Sequence, residues 1–125
     1  MTISGLKFIA DKLKTAGIPY CFEEWSKDIT YPYWVGEYTE SEPLTESGES
    51  ESTFILTGTT NGSWLSLEQQ KSIIKKTFPE IGTTAILEDK TGIAAFFITS
   101  MPVPTGTDAI KRIQIDLKVK EWRVD

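Results

Sequence analysis

The fold is decided by two stretches rich in aromatic and β-branched residues, YPYWVGEY (residues 31–38) and STFILTG (residues 52–58). Such residues fit a pleated, half-buried surface, so each stretch is predicted to form a β-strand. The residues between them, 39–51, include five glutamates and no basic residue. Low hydrophobicity combined with charge of one sign opposes burial. We therefore predict two antiparallel strands joined by a projecting acidic loop at about residues 39–51.

The composition is that of an ordinary globular domain. The chain has 125 residues, of which 39% are hydrophobic and 25% are charged, close to the values of globular proteins. This length is sufficient for one hydrophobic core, so residues 1–125 are expected to form a single domain. No apolar run approaches the roughly 20 residues of a membrane-spanning helix. The first residues also lack the basic and apolar segments of a signal peptide, which predicts a cytoplasmic protein without membrane contact.

The residue types that are missing exclude several kinds of chemistry. The sequence contains no histidine and one cysteine, Cys21. An internal disulfide, a structural zinc site and the Ser-His and Cys-His nucleophilic systems are excluded by these counts. We therefore expect a protein without enzymatic activity, metal or cofactor.

Negative charge is concentrated in the first half of the chain. The net charge is -5, and residues 1–62 contain four lysines and ten acidic residues. This balance disfavours binding to the phosphate backbone of nucleic acids, which depends on lysine and arginine. Solubility is the simpler explanation of the charge, because a net charge keeps proteins dispersed.

Hydrophobic periodicity predicts two helices. Leu6, Ile9 and Leu13 lie on one face of a helix that runs from about residue 4 to residue 16. A second helix is predicted to begin at Ser63 or at Ser66, which forms a capping-box pattern with Gln69, and to end before Pro79.

The other segments are predicted to be strands. A short strand is expected at residues 19–25, and Gly36 indicates a bulge or a close backbone approach in the strand that follows. A hairpin is expected from residues 83–87 and 93–101, and its second strand is apolar on both faces, which is typical of a central strand. The last strand alternates strictly, with Ile113, Ile115, Leu117 and Val119 on one face. The order α-β-β-β-α-β-β-β predicts an α+β fold, a mainly antiparallel sheet of about six strands with two helices packed on it.

The residues that most resemble a catalytic site are carboxylates among aromatic rings. Glu23, Glu24 and Glu37 lie close in sequence to Trp25 and several tyrosines, and glycosidases use paired carboxylates. Adjacent residues such as Glu23 and Glu24 point to opposite faces of a strand, so packing in a core or an interface explains the aromatic residues better. A carbohydrate-binding module or a small glycosidase remains an alternative.

The chain resembles one known family in its order of elements and in three segments. These segments are the strand that opens with Tyr31-Pro32-Tyr33, the acidic loop and the return strand 54–56. This is the family of tail terminator (tail completion) proteins of long-tailed bacteriophages. They have an N-terminal helix, an extended strand that often opens with an aromatic-Pro-Tyr sequence, a projecting loop, a second helix and a closing hairpin.

The resemblance implies a structural protein of a phage or prophage virion, present in the host cytoplasm during assembly. It implies a ring, typically of six subunits, that caps the tail tube, ends its growth and meets the head-tail connector. DNA is then expected to pass through the ring without specific binding. We expect the loop glutamates to face the channel or the tail tube, and four aromatic residues to contact neighbouring subunits. The glutamates are Glu40, Glu42, Glu46, Glu49 and Glu51, and the aromatic residues are Tyr31, Tyr33, Trp34 and Tyr38. Another protein of the phage head-tail junction is the second alternative.

Overall fold

A computed structural model describes residues 1–25, 28–40 and 49–124. Its helices and strands are α1 (Ile3–Thr15), β1 (Tyr20–Phe22), β2 (Tyr33–Glu40), β3 (Ser50–Thr60), α2 (Trp64–Thr77), β4 (Thr83–Ile86), β5 (Thr91–Val103) and β6 (Lys111–Arg123). The six strands form one sheet in the order β1-β2-β3-β6-β5-β4. The prediction of an α+β fold with two helices and about six strands is confirmed.

The expectation of a mainly antiparallel sheet requires correction, because the sheet is mixed. β1 pairs with β2 in parallel, with Tyr20 beside Trp34 and Phe22 beside Gly36, whereas the other four strand pairs are antiparallel. Parallel neighbours require a connection that returns the chain to the start of the first strand. The alternation of side chains along a strand does not report the direction of its neighbour, so the sequence pattern missed this pairing.

Both helices pack on the same face of the sheet, which we call the helix face. Ile9 and Leu13 of α1 and Leu67 and Ile74 of α2 are fully buried in one cluster with alternate strand residues. These strand residues include Phe54, Leu56, Ile113, Ile115, Leu117 and Val119. The alternation predicted for the last strand is therefore confirmed, and it places the core between the sheet and the helices.

The opposite side of the sheet, which we call the open face, carries the other set of alternate residues. In β6 these are Arg112, Gln114, Asp116, Lys118, Lys120 and Trp122, and the residues in register with them on neighbouring strands share this face. Neither helix covers it. Exposure changes along β5: residues 91–95 are buried, whereas Ile98 is 54% exposed. The expectation that the apolar run 94–98 is covered on both faces, as in a central strand, is therefore wrong at Ile98.

Aromatic rings lie over glycines at the centre of the helix face. Trp34 of β2 is fully buried, and its indole lies against Gly58 of β3, its partner in register. The indole Nε1 donates a hydrogen bond of 2.7 Å to Gln70 Oε1 of α2. Gly36 is covered in the same way by the rings of Tyr20 and Phe54. Of the bulge or close backbone approach predicted at Gly36, the bulge is absent, because the register of β2 and β3 runs through this residue without interruption, and the close approach is made by side-chain rings rather than by backbone.

A buried carboxylate fastens α1 to the end of β6. Glu121 is 3% exposed, and its carboxylate accepts hydrogen bonds from the backbone N–H and the hydroxyl of Thr2. The same Thr2 hydroxyl oxygen accepts from Gly5 N–H at 2.9 Å and so forms the N-cap of α1. A negative charge beside a helix N-terminus is favourable, because the unpaired N–H groups there carry partial positive charge.

α2 begins at the first of its two predicted starts, Ser63, and not at Ser66. Its N-cap is Ser63, whose side chain makes no capping hydrogen bond, and Ser66 lies inside the helix and donates to the Ser63 carbonyl oxygen at 3.1 Å. The capping box of Ser66 and Gln69 is therefore wrong. Trp64 and Leu65 are apolar but exposed in the first turn of α2. Hydrophobic periodicity therefore does not mark the position at which this helix begins.

The contact between Trp34 and Gly58 leads to the first prediction. A Cβ added at Gly58 would lie 2.7 Å from three atoms of the Trp34 ring, so Gly58→Ala should reduce the free energy of unfolding by about 1–3 kcal/mol, the usual cost of overpacking. Gly62→Ala is the matched control, because the nearest atom to its Cβ would be Thr60 Oγ1 at 3.7 Å. Urea unfolding of both variants measures the difference, and equal stabilities would contradict this account of the core.

The role of Glu121 leads to the second prediction. Glu121→Ala removes the acceptor of the Thr2 hydrogen bonds, and hydrogen bonds to a charged group contribute about 1.5–3 kcal/mol. We expect a loss of that size in urea unfolding, accompanied by faster hydrogen exchange in the first turn of α1. Glu88→Ala, at an exposed glutamate, serves as the control and should be nearly neutral. Unchanged exchange in α1 would show that Glu121 does not hold the helix.

Candidate functional site: the open face of the sheet and its two edges

The open face carries balanced charge. Its strand residues include three acids, Glu37, Glu51 and Asp116, and three bases, Arg112, Lys118 and Lys120. Because the whole chain has a net charge of -5, the negative excess lies elsewhere. A face with both signs interspersed suits contact with another protein surface better than attraction of a highly charged ligand.

Charges on the open face are paired between strands. Lys118 Nζ lies 3.2 Å from Glu51 Oε1, and Lys120 Nζ lies 4.0 Å from Glu49 Oε1. These ion pairs are about 40% exposed, so each contributes on the order of 0–1 kcal/mol. Their effect is to fix the positions of the charges rather than to stabilise the fold.

Of the five glutamates that were predicted to act together, the structure describes three, and it separates Glu40 from Glu49 and Glu51. Glu49 and Glu51 lie beside the lysines of the open face, whereas Glu40 is in register with Ser52 of the helix face and pairs with the Met1 amino group. Residues 39, 40, 50 and 51 belong to strands β2 and β3 rather than to the loop. Glu42 and Glu46 lie outside the described residues. Each of the three described glutamates therefore has a cationic partner.

The four aromatic residues that were predicted to contact other subunits also have different environments. Trp34 is fully buried, so its side chain has no surface left for another subunit. Tyr38 is half-buried on the helix face, where its ring stacks on Phe22 with centroids 6.1 Å apart. Tyr33 lies on the open face, and Tyr31 is 40% exposed beside it.

Three rings form a cluster at the β2 end of the open face. Tyr33 lies between Trp25 and Tyr31, with ring centroids 5.0 Å and 5.7 Å away. In the next strand Thr59 is in register with Tyr33, and its hydroxyl accepts a hydrogen bond of 3.2 Å from Arg112 Nε. The rings are tilted by 43° and 45° against one another. They pack together as a unit with polar neighbours, an arrangement compatible with a protein contact or with stacking on a sugar.

The two edges of the sheet are β1 and β4. The sequence predicted a strand at residues 83–87 but did not identify it as an exposed edge of the sheet. The run Thr83-Thr84-Ala85-Ile86 contains no charge, proline or glycine. Natural edge strands are commonly protected by lysine, proline or a bulge. Ile81, just before this edge, is 90% exposed and Ile86 is 67% exposed. The absence of protective residues was the signal in the sequence that could have identified this surface.

A groove lies between α1 and the turn that joins β4 to β5. Its volume is about 510 Å³, and its lining includes Phe8, Lys12 and Asp89. The Asp89 carboxylate accepts a hydrogen bond of 2.8 Å from the Ser4 hydroxyl and one of 3.0 Å from Thr91 N–H. The Ser4 hydroxyl, followed by Thr91, lowers the pKa of Asp89 below its ordinary value. These bonds tie the turn to α1, and the groove contains no pair of groups arranged as nucleophile and base.

Within residues 1–25, 28–40 and 49–124, no three cysteine, aspartate or glutamate side chains come together in a way that could hold a metal ion. The same residues include no helix that is long and apolar enough to span a membrane. Glu23 and Glu24, which were considered as part of a carboxylate site, are exposed at the end of β1, and Glu23 has a φ of 63°.

No protein-family model matches the chain, and no curated protein matches its sequence.

Proposed function

We propose that this protein is a non-enzymatic structural protein of a phage or prophage tail that assembles into a ring, caps the tail tube and forms the head-tail joining surface. The observation that carries the proposal is the open face, a six-stranded sheet surface without a helix over it. Its charges are balanced and held in place by cross-strand ion pairs. Such a face and the uncharged edge β4 give one copy of the chain surfaces with which to contact another.

The layout of the chain also supports the proposal. The N-terminal helix, the aromatic strand β2, the connection of residues 41–49, the helix α2 and the closing strands follow the order of the tail terminator family. Subunits of a cyclic ring contact each other through two different surfaces, head to tail. Two different sheet edges and one open face are consistent with that requirement.

Three of the five loop glutamates are paired with cations, which limits the negative charge that they would give to the proposed channel. Glu40, Glu49 and Glu51 have cationic partners within the same chain, so they offer little net charge to a channel. Negative charge that repels the DNA backbone then comes chiefly from Glu42 and Glu46. Repulsion of this kind lets DNA pass without binding, because phosphate contacts require positive charge.

A second candidate function, carbohydrate binding without catalysis, is favoured by one observation. Trp25, Tyr31 and Tyr33 form an aromatic cluster near Arg112, whose Nε donates to the buried Thr59 hydroxyl. Aromatic faces and hydrogen-bonding groups at one surface are the usual components of a sugar site. This candidate requires a monomer with an exposed cluster, whereas the proposed ring makes no such demand.

The oligomeric state of the purified protein separates the two candidates. We expect native mass spectrometry over a concentration series to show a closed ring, and the ring to bind the end of a tail tube in electron micrographs. A protein that stays monomeric at high concentration and gains thermal stability from oligosaccharides would support the carbohydrate-binding function instead, because a ligand that binds only the folded state stabilises it.

The proposed role of the loop gives a further prediction. Glu42→Gln with Glu46→Gln should leave ring assembly unchanged and reduce the delivery of DNA through assembled tails, because two negative charges are removed from the loop that is proposed to face the channel. The matched control replaces Glu40, Glu49 and Glu51 with Gln, which removes charges that are already paired and should affect DNA delivery less. Delivery is measured as the fraction of particles that eject their DNA. Normal delivery by the Glu42 and Glu46 variant would remove the loop from the proposal.

A further inference from the structure

At the edge strand β4, the backbone groups of two residues face away from every strand that the structure describes. In the β4–β5 pair, Leu87 N–H donates to the Thr91 carbonyl oxygen at 2.8 Å. Residues of an antiparallel pair alternate between those that bond to the neighbour and those that point away. In the observed register, Ala85 and Thr83 therefore bond to β5, and the N–H and C=O groups of Thr84 and Ile86 point away from the sheet.

The other edge, β1, presents the complementary groups. Trp34 N–H donates to the Pro19 carbonyl oxygen, and Glu23 N–H donates to the Gly36 carbonyl oxygen. The backbone groups of Cys21 therefore face β2, and those of Tyr20 and Phe22 point away from the sheet. The Phe22 carbonyl oxygen already accepts from Glu24 N–H at 2.7 Å, which leaves the Tyr20 carbonyl and the Phe22 N–H for a neighbouring strand.

The two edges run in the same direction. β1 is parallel to β2, and four successive antiparallel pairs connect β2 to β4 through β3, β6 and β5. Four reversals restore the original direction, so β4 and β1 are parallel. Rotation about an axis along the strands preserves strand direction, so a ring would place β4 of one copy parallel to β1 of the next. A two-fold dimer formed through β4 alone would instead pair two copies of β4 antiparallel.

The register with Thr84 opposite Cys21 satisfies the hydrogen bonds and keeps the open face continuous. In a parallel pair, a residue that points toward its neighbour strand lies opposite a residue that points away from it, and bonds to the residues on either side. Thr84 would then lie opposite Cys21, with its N–H on the Tyr20 carbonyl and its C=O on the Phe22 N–H. Thr84 and Cys21 both belong to the open face, because Thr84 is in register with Ala94 and Cys21 with Val35. The side chains of the two copies therefore emerge on the same side.

We infer that β4 of one copy binds β1 of the next copy as a parallel strand, with Thr84 opposite Cys21. The two edges have the same direction, complementary hydrogen-bonding groups and side chains on the same face of the sheet. The sheets of neighbouring subunits then join into one continuous sheet around the ring. The inference rests on the proposed function, since it specifies the contact by which the ring closes. It also accounts for an edge without protective residues at Thr83-Thr84-Ala85-Ile86, beside the exposed Ile81.

Disulfide trapping with the native cysteine tests this contact. Adjacent strands lie roughly 4.8 Å apart, within the range of about 4.4–6.8 Å between Cα atoms that a disulfide accepts. The full-length Thr84→Cys variant should therefore form a ladder of linked subunits on mild oxidation, as seen by non-reducing electrophoresis. Thr99→Cys, at an exposed threonine of the open face away from both edges, is the matched control and should form no ladder.

A second pair of variants tests the backbone contact without a cysteine. Thr84→Pro removes an N–H that points away from β5, so the monomer should keep its circular dichroism spectrum while native mass spectrometry shows loss of the ring. Proline is tolerated in an edge strand at such positions. Ala85→Pro removes an N–H that bonds to β5 and should lower the stability of the monomer itself.

The outcomes separate this inference from the proposed function. A Thr84→Cys ladder that disappears when Cys21→Ser is added supports the parallel contact. Linked dimers that persist in the Thr84→Cys, Cys21→Ser double variant would show β4 paired with β4 and overturn the inference. A ring that forms in the wild type and in Thr84→Pro, without a ladder in Thr84→Cys, would overturn the inference and leave the proposed function standing. A wild-type protein that is monomeric at every concentration would overturn both.

Discussion

The antiparallel ladder between β3 and β6 is the constraint on which the rest of the structure depends. It runs without a register shift from Ser50 opposite Glu121 to Thr60 opposite Lys111, and it occupies the middle of the sheet. A register that slipped by one residue would move every side chain to the opposite face. Leu56, Ile115 and Leu117 would then leave the core, and the lysines of β6 would be buried. The burial of one face thus fixes the pairing of these two strands, and the other strands add to their outer sides.

The helix face is closed by a small number of specific contacts in addition to its apolar area. Trp34 fits over Gly58 and reaches α2 through Gln70, which connects the second strand, the third strand and the second helix. At the opposite end, Glu121 brings the start of α1 to the last strand through Thr2. Both contacts join parts of the chain that are far apart in sequence. They explain how two helices with limited apolar stripes are held in defined positions on the sheet.

The open face has a different physical character, and the difference bears on function. Its charges are balanced and paired across strands, and its apolar side chains are scattered among threonines and charged residues. A face of this kind stays in water without collapsing, yet it offers both polar and apolar groups to a protein partner. The edge β4 adds backbone groups that none of the six described strands satisfies. Under the proposed function, in which copies of the chain dock to one another, such surfaces remain stable when exposed and become more stable when covered.

The local pattern of the sequence determined a large part of the fold. Period-two alternation identified β6 and its buried face, the spacing of Leu6, Ile9 and Leu13 identified α1, and grouped strands with two helices indicated the α+β class. These features follow from which side of each element is apolar, and that information is local. The amino-acid composition alone excluded several catalytic systems, because the chain has no histidine and a single cysteine.

The tertiary structure decided the features that depend on neighbours. The parallel pairing of β1 with β2, the burial of Trp34 and the separation of Glu40 from Glu49 and Glu51 were all missed, because a strand's own residues do not specify which strand lies beside it or in which direction. The cover over Gly36 and Gly58 and the buried Glu121 likewise come from residues far away in the chain. The sequence by itself thus determined the elements and their apolar faces. Only the packing of the sheet decided which edges stay unpaired and which charges find partners, since hydrogen bonds and ion pairs between strands exist only after the chain has brought them together.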